Sequence, residues 1–168
     1  HSRKTPVASF YANILAFDGY YEKKWFPYTM PISDIYGLRQ AFDNIKNDPY
    51  MLERHAKIGN AVRAAVKEAG LELYQETGFS NTVTVFNVPE GTTDTAILTA
   101  MKEKCNIMLA GSFGAFAGKV IRIGHMGENA YPEKVGAVMA GLDLVFKDLG
   151  ITLKCSLKEA YDRKMSEQ

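Results

Sequence analysis

The 168-residue sequence has little of what marks a specialised class of protein: two cysteines, three histidines and a formal net charge of +1. Cys105 and Cys155 match neither a metal-ligand spacing nor a disulfide framework, so a reducing cytoplasm is the expected compartment. The scattered histidines do not form a metal site. The balanced charge gives no electrostatic reason to propose nucleic acid as a partner, and no apolar run approaches the ~20 residues that cross a membrane. What remains is a globular chain that is 46% hydrophobic.

The first 31 residues are irregular and rich in aromatic side chains. Such a segment is too apolar for a flexible linker. We expect its rings to bury against a preceding domain or a second subunit.

Two helices are predicted next. Ser33 reads as the N-cap of the first, and residues 47–49 break it. The second helix should exceed about 20 residues, with Pro49 in its first turn and Gly70 as its stop. Apolar or buried positions recur at helical spacing in both: Ile35, Leu38, Phe42 and Ile45 in the first, and Leu52, His55, Ile58, Val62 and Val66 in the second.

The pattern changes after Gly70. Strands are predicted at 82–88, 107–109 and 119–123, with a helix capped by Thr93 or Asp94 after the first strand. A last clear helix should start at Pro132. Residues 150–168 read as a short strand and a charged, frayed helix. The fold class is therefore α/β in the broad sense, and more closely α+β, with helices on one face of a small sheet.

Arg122 is the most informative residue. Strand alternation places Val120 and Arg122 on one face, and Ile121 and Ile123 on the other. A guanidinium offers a planar fork of donors that matches a carboxylate, so Arg122 is a candidate for binding an acid substrate. On pattern alone, a surface or interface salt bridge is the slightly favoured alternative.

Other polar features have plainer interpretations. The loop Gly111–Gly118 leads into a strand rather than a helix, so a flexible turn beside an apolar pocket is favoured over a phosphate loop. His125 and His55 are interpreted as a loop residue and a helix-packing or interface residue. Tyr28 and Thr29 sit ahead of a helix start, where ordinary turn contacts are favoured over phosphate binding.

Three stretches together resemble the class V aminotransferases. Gly118–Gly127 (GKVIRIGHMG) is similar to the "GKVxRIGxxG" stretch of that family. Tyr28–Ser33, leading to Leu38, resembles its "Thr-Pro…Ser…Leu" segment. Glu53-Arg54-His55 resembles the Arg-His pair on its long interdomain helix.

The resemblance implies a fold-type I enzyme of the alanine–glyoxylate or serine–pyruvate type, dimeric, dependent on pyridoxal 5'-phosphate (PLP) and acting on an amino acid and a 2-oxo acid. Residues 1–46 would end the large domain, 47–70 would be the interdomain helix, and 71–168 the small C-terminal domain. Arg122 would bind the substrate carboxylate. Thr29 and Tyr28 would contact the cofactor, and Thr29 would bind the phosphate of the PLP held by the neighbouring subunit.

Two cofactor contacts of the family have no clear counterpart in this sequence. Phe26 stands where relatives often carry a phosphate-binding tyrosine, so either Phe26 or Tyr28 occupies that contact position. The Schiff-base lysine of the family belongs to the part before residue 1, and Lys4 is not a plausible replacement. The expectation is a fragment that is inactive alone, with His1 a cut point or an added residue.

Two alternatives stay open. One is another fold-type I activity, aminoethylphosphonate transaminase-like or desulfurase-like; the absence of a cysteine from a mobile Gly/Ser loop disfavours the desulfurase. The other is a stand-alone α+β regulatory or binding module, which the aromatic N-terminal segment disfavours.

Overall fold

The computed structural model describes residues 5–167, so His1 and Lys4 lie outside it. The chain divides into two units, the first ending at Asp48 and the second starting at Pro49. The described part is α+β, mostly helical, with one two-stranded sheet. None of its helices is both long and apolar enough to cross a membrane. In chain order the elements are α1 (Tyr20–Lys23), α2 (Ile32–Lys46), α3 (Met51–Glu68), β1 (Val83–Asn87), α4 (Asp94–Cys105), β2 (Val120–Gly124), α5 (Pro132–Asp148) and α6 (Leu157–Ser166).

In the first unit, α2 has the predicted helical pattern but a different start. Pro31 is the N-cap and Ser33 lies inside the first turn, so the prediction of Ser33 as the cap was wrong. The first helical hydrogen bond runs from the Ile35 N–H to Pro31 O (3.0 Å), so the helix begins ahead of Ser33. No described residue of this unit is buried. The apolar positions of α2 are about half exposed: Ile35 47%, Leu38 58%, Phe42 63% and Ile45 52%.

The second unit opens with α3, which has 18 residues and is shorter than predicted. Pro49 precedes it and Tyr50 is its N-cap, so Pro49 does not lie in the helix. Leu52 is 75% exposed, contrary to the predicted stripe, because it lies in the first turn of α3, ahead of the positions that meet the core. Gly70 follows the helix end with φ +84°, as a helix stop requires. The remaining predicted stripe positions are buried: His55, Ile58, Val62 and Val66.

The sheet pairs β1 and β2 antiparallel, with Val85 opposite Arg122. The predicted strand at 107–109 is wrong. Only Ala110 pairs, through an isolated bridge to Arg122, because the chain leaves the edge of β2 after one residue. The predicted alternation is seen from Ile121 to Ile123, which are fully buried on either side of a partly covered Arg122, whereas Val120, predicted on the face of Arg122, is also buried (4% exposed).

The remaining helices complete the core. Thr93 caps α4 by accepting from the Ala96 N–H (3.2 Å), and Pro132 starts α5 as predicted. The predicted strand after residue 150 is absent from the described residues, and α6 is not frayed. Its Tyr161 is 1% exposed. Ser156 is its N-cap and accepts from the Glu159 N–H (3.2 Å), and Asp143 of α5 accepts from the Leu157 N–H (2.7 Å).

Candidate carboxylate-binding site

Arg122 is held at the middle of β2 by backbone and side chain together. Its N–H donates to Ala110 O (2.7 Å), and its Nε–H donates to Gly111 O (2.6 Å). Within residues 5–167, that Nε bond is the only hydrogen bond of the guanidinium, and no carboxylate pairs with it. The salt bridge that the sequence suggested as the alternative role of Arg122 is therefore not formed within the described part of the chain. Both Nη groups are without a hydrogen bond among the described residues, and the Nε bond restricts the orientation of the guanidinium.

Arg122 lines an open cavity of about 710 Å³. The walls come from β2, the segment before Gly111, the turn after β2 and the first turns of α5. The lining includes no acidic side chain, so the charge of Arg122 meets no opposing charge in the wall. The lining residues are Val83, Ile107, Met108, Leu109, Ala110, Arg122, Gly124, Met126, Asn129, Lys134, Val135, Ala137 and Val138.

The turn that follows β2 is fastened to α3 by Arg54 and His55. The Nε–H of Arg54 donates to Ala130 O (2.8 Å), and its guanidinium lies 4.6 Å from the ring centroid of Tyr131. The Gly127 N–H donates to His55 Nε2 (3.1 Å). This turn carries Met126 and Asn129 into the cavity wall, so α3 fixes one side of the cavity.

The hydrogen bonds of His55 define its tautomer. Because Nε2 accepts a proton from a backbone N–H, the ring proton sits on Nδ1, which donates to Met51 O (2.7 Å). His55 is thus a buried packing residue with its ring proton on Nδ1, in agreement with its interpretation from the sequence. Its link to Gly127, 72 residues away, was not predicted, and the only signal for it was the Arg-His pair itself.

His125 is fully buried and does not line the cavity. Its Nδ1–H donates to Asn81 O (3.2 Å), and its Nε2 accepts from the Thr84 hydroxyl (2.9 Å). Burial, reinforced by the charge of Arg63, lowers the pKa of His125 below its usual value. The neutral ring therefore ties β1 to the end of β2, a structural role that the sequence interpretation of a plain loop residue did not include.

Tyr28 and Thr29 lie in the first unit, whereas Arg122 lies in the second. The Tyr28 hydroxyl donates to Phe10 O (2.9 Å), and its ring packs among aromatic neighbours. Thr29 is exposed just ahead of α2, and its hydroxyl has no hydrogen bond within the described residues. Thr29 can therefore donate to an anion as it stands. Tyr28 would have to give up its bond to Phe10 first.

No protein-family model matches the chain. It is 38% identical over 149 residues to an uncharacterized aminotransferase of Methanocaldococcus jannaschii, covering 86% of this chain and 38% of the relative. It is 36% identical over 130 residues to the serine–glyoxylate aminotransferase of Arabidopsis thaliana, covering 75% of this chain and 32% of the relative.

The fold agrees with solved structures. The ureidoglycine–glyoxylate aminotransferase of Bacillus subtilis superposes with a TM-score of 0.88 at 26% identity, covering 98% of this chain and 43% of that one. The pyridoxamine–pyruvate aminotransferase of Mesorhizobium loti gives 0.82 at 28% identity, covering 92% and 41%. The chain spans between about a third and two fifths of the length of these proteins. It is a homologue of the class V aminotransferases, of the serine–glyoxylate and ureidoglycine–glyoxylate type, over that part of their length.

Proposed function

We propose that this chain is part of a PLP-dependent aminotransferase that moves an amino group between an alanine- or serine-type amino acid and a 2-oxo acid such as glyoxylate or pyruvate. The proposal rests on the hydrogen bonding and the surroundings of the Arg122 side chain. It is anchored through Nε on a strand, unpaired with any carboxylate in the described part of the chain, and open to an apolar cavity.

Arg122 binds and orients the substrate carboxylate. The bond from Nε to Gly111 O fixes the plane of the guanidinium, so its two Nη groups can donate in parallel to the two carboxylate oxygens. Both the amino acid and the 2-oxo acid carry this group, so one arginine serves both half-reactions. The apolar wall formed by Val83, Leu109 and Val138 suits small side chains and limits water around the ion pair.

Thr29 is the residue of this chain that we assign to the cofactor phosphate. Its hydroxyl has no competing partner within residues 5–167, and the start of α2 follows two residues later with N–H groups free of side-chain capping. Tyr28 fits this role less well, because its hydroxyl already donates to Phe10 O. When bound, PLP supplies the electron sink that transamination requires.

We further propose that residues 1–46 end a large domain, 47–70 form an interdomain segment, and 71–168 form a small domain of a homodimer. The chain alone is inactive in this proposal, because the anchoring lysine of the family lies outside it. The exposed apolar residues of α2 support a covered surface in the assembled protein, since contiguous apolar exposure is unusual for a free monomer.

The test compares this chain with the intact protein. The intact protein should gain the visible absorbance of bound PLP, and alanine or serine should change that absorbance, whereas this chain alone should gain none. Arg122→Ala should require about 30-fold more amino acid for the same change, as expected for ~2 kcal/mol or more lost with a charge pair.

Arg163→Ala is the matched control. Arg163 is an exposed arginine of α6 that pairs with Glu68 and does not line the cavity, so its variant should respond like wild type. An Arg122→Ala protein that responds to amino acids like wild type would refute the assignment of Arg122. An intact protein that binds no PLP would refute the aminotransferase proposal and move the binding-module alternative to first place.

A further inference from the structure

The cavity around Arg122 is lined by a second cation, Lys134 in the first turn of α5. The amide of Asn129 lines the same cavity, and no Asp or Glu is among the lining residues. The wall therefore presents two positive charges and an amide without an opposing charge. This is more positive charge than a ligand with one carboxylate needs.

Lys134 is held in place without being neutralised. Its Nζ donates to Glu128 O and lies 5.5 Å from the ring centroid of Tyr131. Both contacts are with the turn that Arg54 and His55 fasten to α3. Within residues 5–167, Lys134 makes no ion pair, in contrast to Lys158 on α6, which pairs with Asp162. The ammonium group keeps two further N–H donors for a ligand.

We propose that the cavity accepts amino acids and 2-oxo acids that carry a second acidic group. Arg122 binds the α-carboxylate, and Lys134 with Asn129 binds the distal carboxylate. The division follows from geometry, because the guanidinium fork matches a carboxylate in a fixed plane while an ammonium is a point charge that tolerates side chains of different length. The inference rests on the proposed function and extends its substrates beyond the alanine and serine type.

The experiment measures the half-reaction of the intact, PLP-loaded protein with alanine, aspartate and glutamate. Wild type should react at a lower KM with at least one of the two acidic amino acids than with alanine. Lys134→Gln should raise the KM for that acidic amino acid about tenfold, as for one lost charged hydrogen bond. Its kcat and the KM for alanine should not change. Lys158→Gln, a lysine outside the cavity, should behave as wild type.

A Lys134→Gln variant that changes the KM for alanine and for the acidic amino acid equally, or changes neither, would overturn the inference and leave the proposed function standing. If no amino acid reacts, the proposed function fails. A titration of this chain with acetate and with succinate, followed by amide NMR, then tests the site alone. Tighter binding of succinate that disappears in Lys134→Gln supports the second anion site, and equal binding of the two acids overturns it.

Discussion

Replacing His55 by phenylalanine tests whether α3 holds the turn beside Arg122. The side chain is 8% exposed, and its Nε2 accepts the Gly127 N–H at 3.1 Å. Phenylalanine fills a similar volume but offers no acceptor, so the Gly127 N–H would face carbon. A donor left without a partner on folding costs about 1–3 kcal/mol. Since Gly127 itself is exposed and water can replace part of the bond, we expect a loss near the lower end, about 1–1.5 kcal/mol.

The assay is urea unfolding of wild type and variant, with hydrogen exchange of the Gly127 amide as a local measurement. In His55→Phe the urea concentration at the unfolding midpoint should be lower than in wild type, while the m-value stays the same. The Gly127 amide should exchange faster than in wild type. Leu52→Ala is the control on the same helix. Leu52 is 75% exposed, so its loss should change stability by less than about 0.5 kcal/mol. If the Gly127 amide exchanges at the same rate in His55→Phe as in wild type, the hydrogen bond from Gly127 to His55 does not hold this turn in place.

Three further predictions concern the second unit. Asp143→Ala removes the acceptor of the Ser156 hydroxyl (2.6 Å) and of the Leu157 N–H (2.7 Å), and should lower the free energy of unfolding by about 2 kcal/mol in a urea titration. Because burial lowers the pKa of His125, the unfolded chain binds a proton that the folded chain excludes. Stability should therefore be constant above pH ~6.5 and fall below it, by at most ~1.4 kcal/mol per pH unit for this group, and His125→Gln should flatten that part of the profile. Ile123→Ala empties a fully buried position and should cost about 2–5 kcal/mol, whereas an effect below 1 kcal/mol in chemical unfolding would contradict the placement of β2 against the core.

Local patterns predicted the elements better than their contacts. The alternation around Arg122 correctly placed Ile121 and Ile123 inside, because one face of a strand must meet the core. The same kind of pattern failed at Ile107–Leu109, where apolar residues line an open cavity instead of pairing, and Met108 is 84% exposed. An apolar run does not say whether a backbone partner lies beside it.

The contacts that hold the turn after β2 against α3 could not be predicted from sequence periodicity, for a different reason. Arg54 and Ala130 are 76 residues apart, and their contact exists only once α3 has packed beside the sheet. Composition and spacing cannot report such a contact. The roles of Arg122, Thr29 and Tyr28 in binding remain predictions, and the structure adds to them a difference in availability: Thr29 has a free hydroxyl within the described residues, and Tyr28 does not.

The confinement of buried residues to the second unit has a calorimetric consequence. Heat capacity rises on unfolding because apolar surface becomes hydrated, and in the described chain no residue of 5–48 is buried. The transition should therefore show a heat-capacity increment closer to 1.4–1.8 kcal/mol/K, roughly the value for about 120 residues, than to the roughly 2.0–2.5 of a uniformly packed chain of this full length. A scanning calorimeter would thus record the melting of the part that carries Arg122, and ligand-induced shifts in Tm would report directly on its cavity.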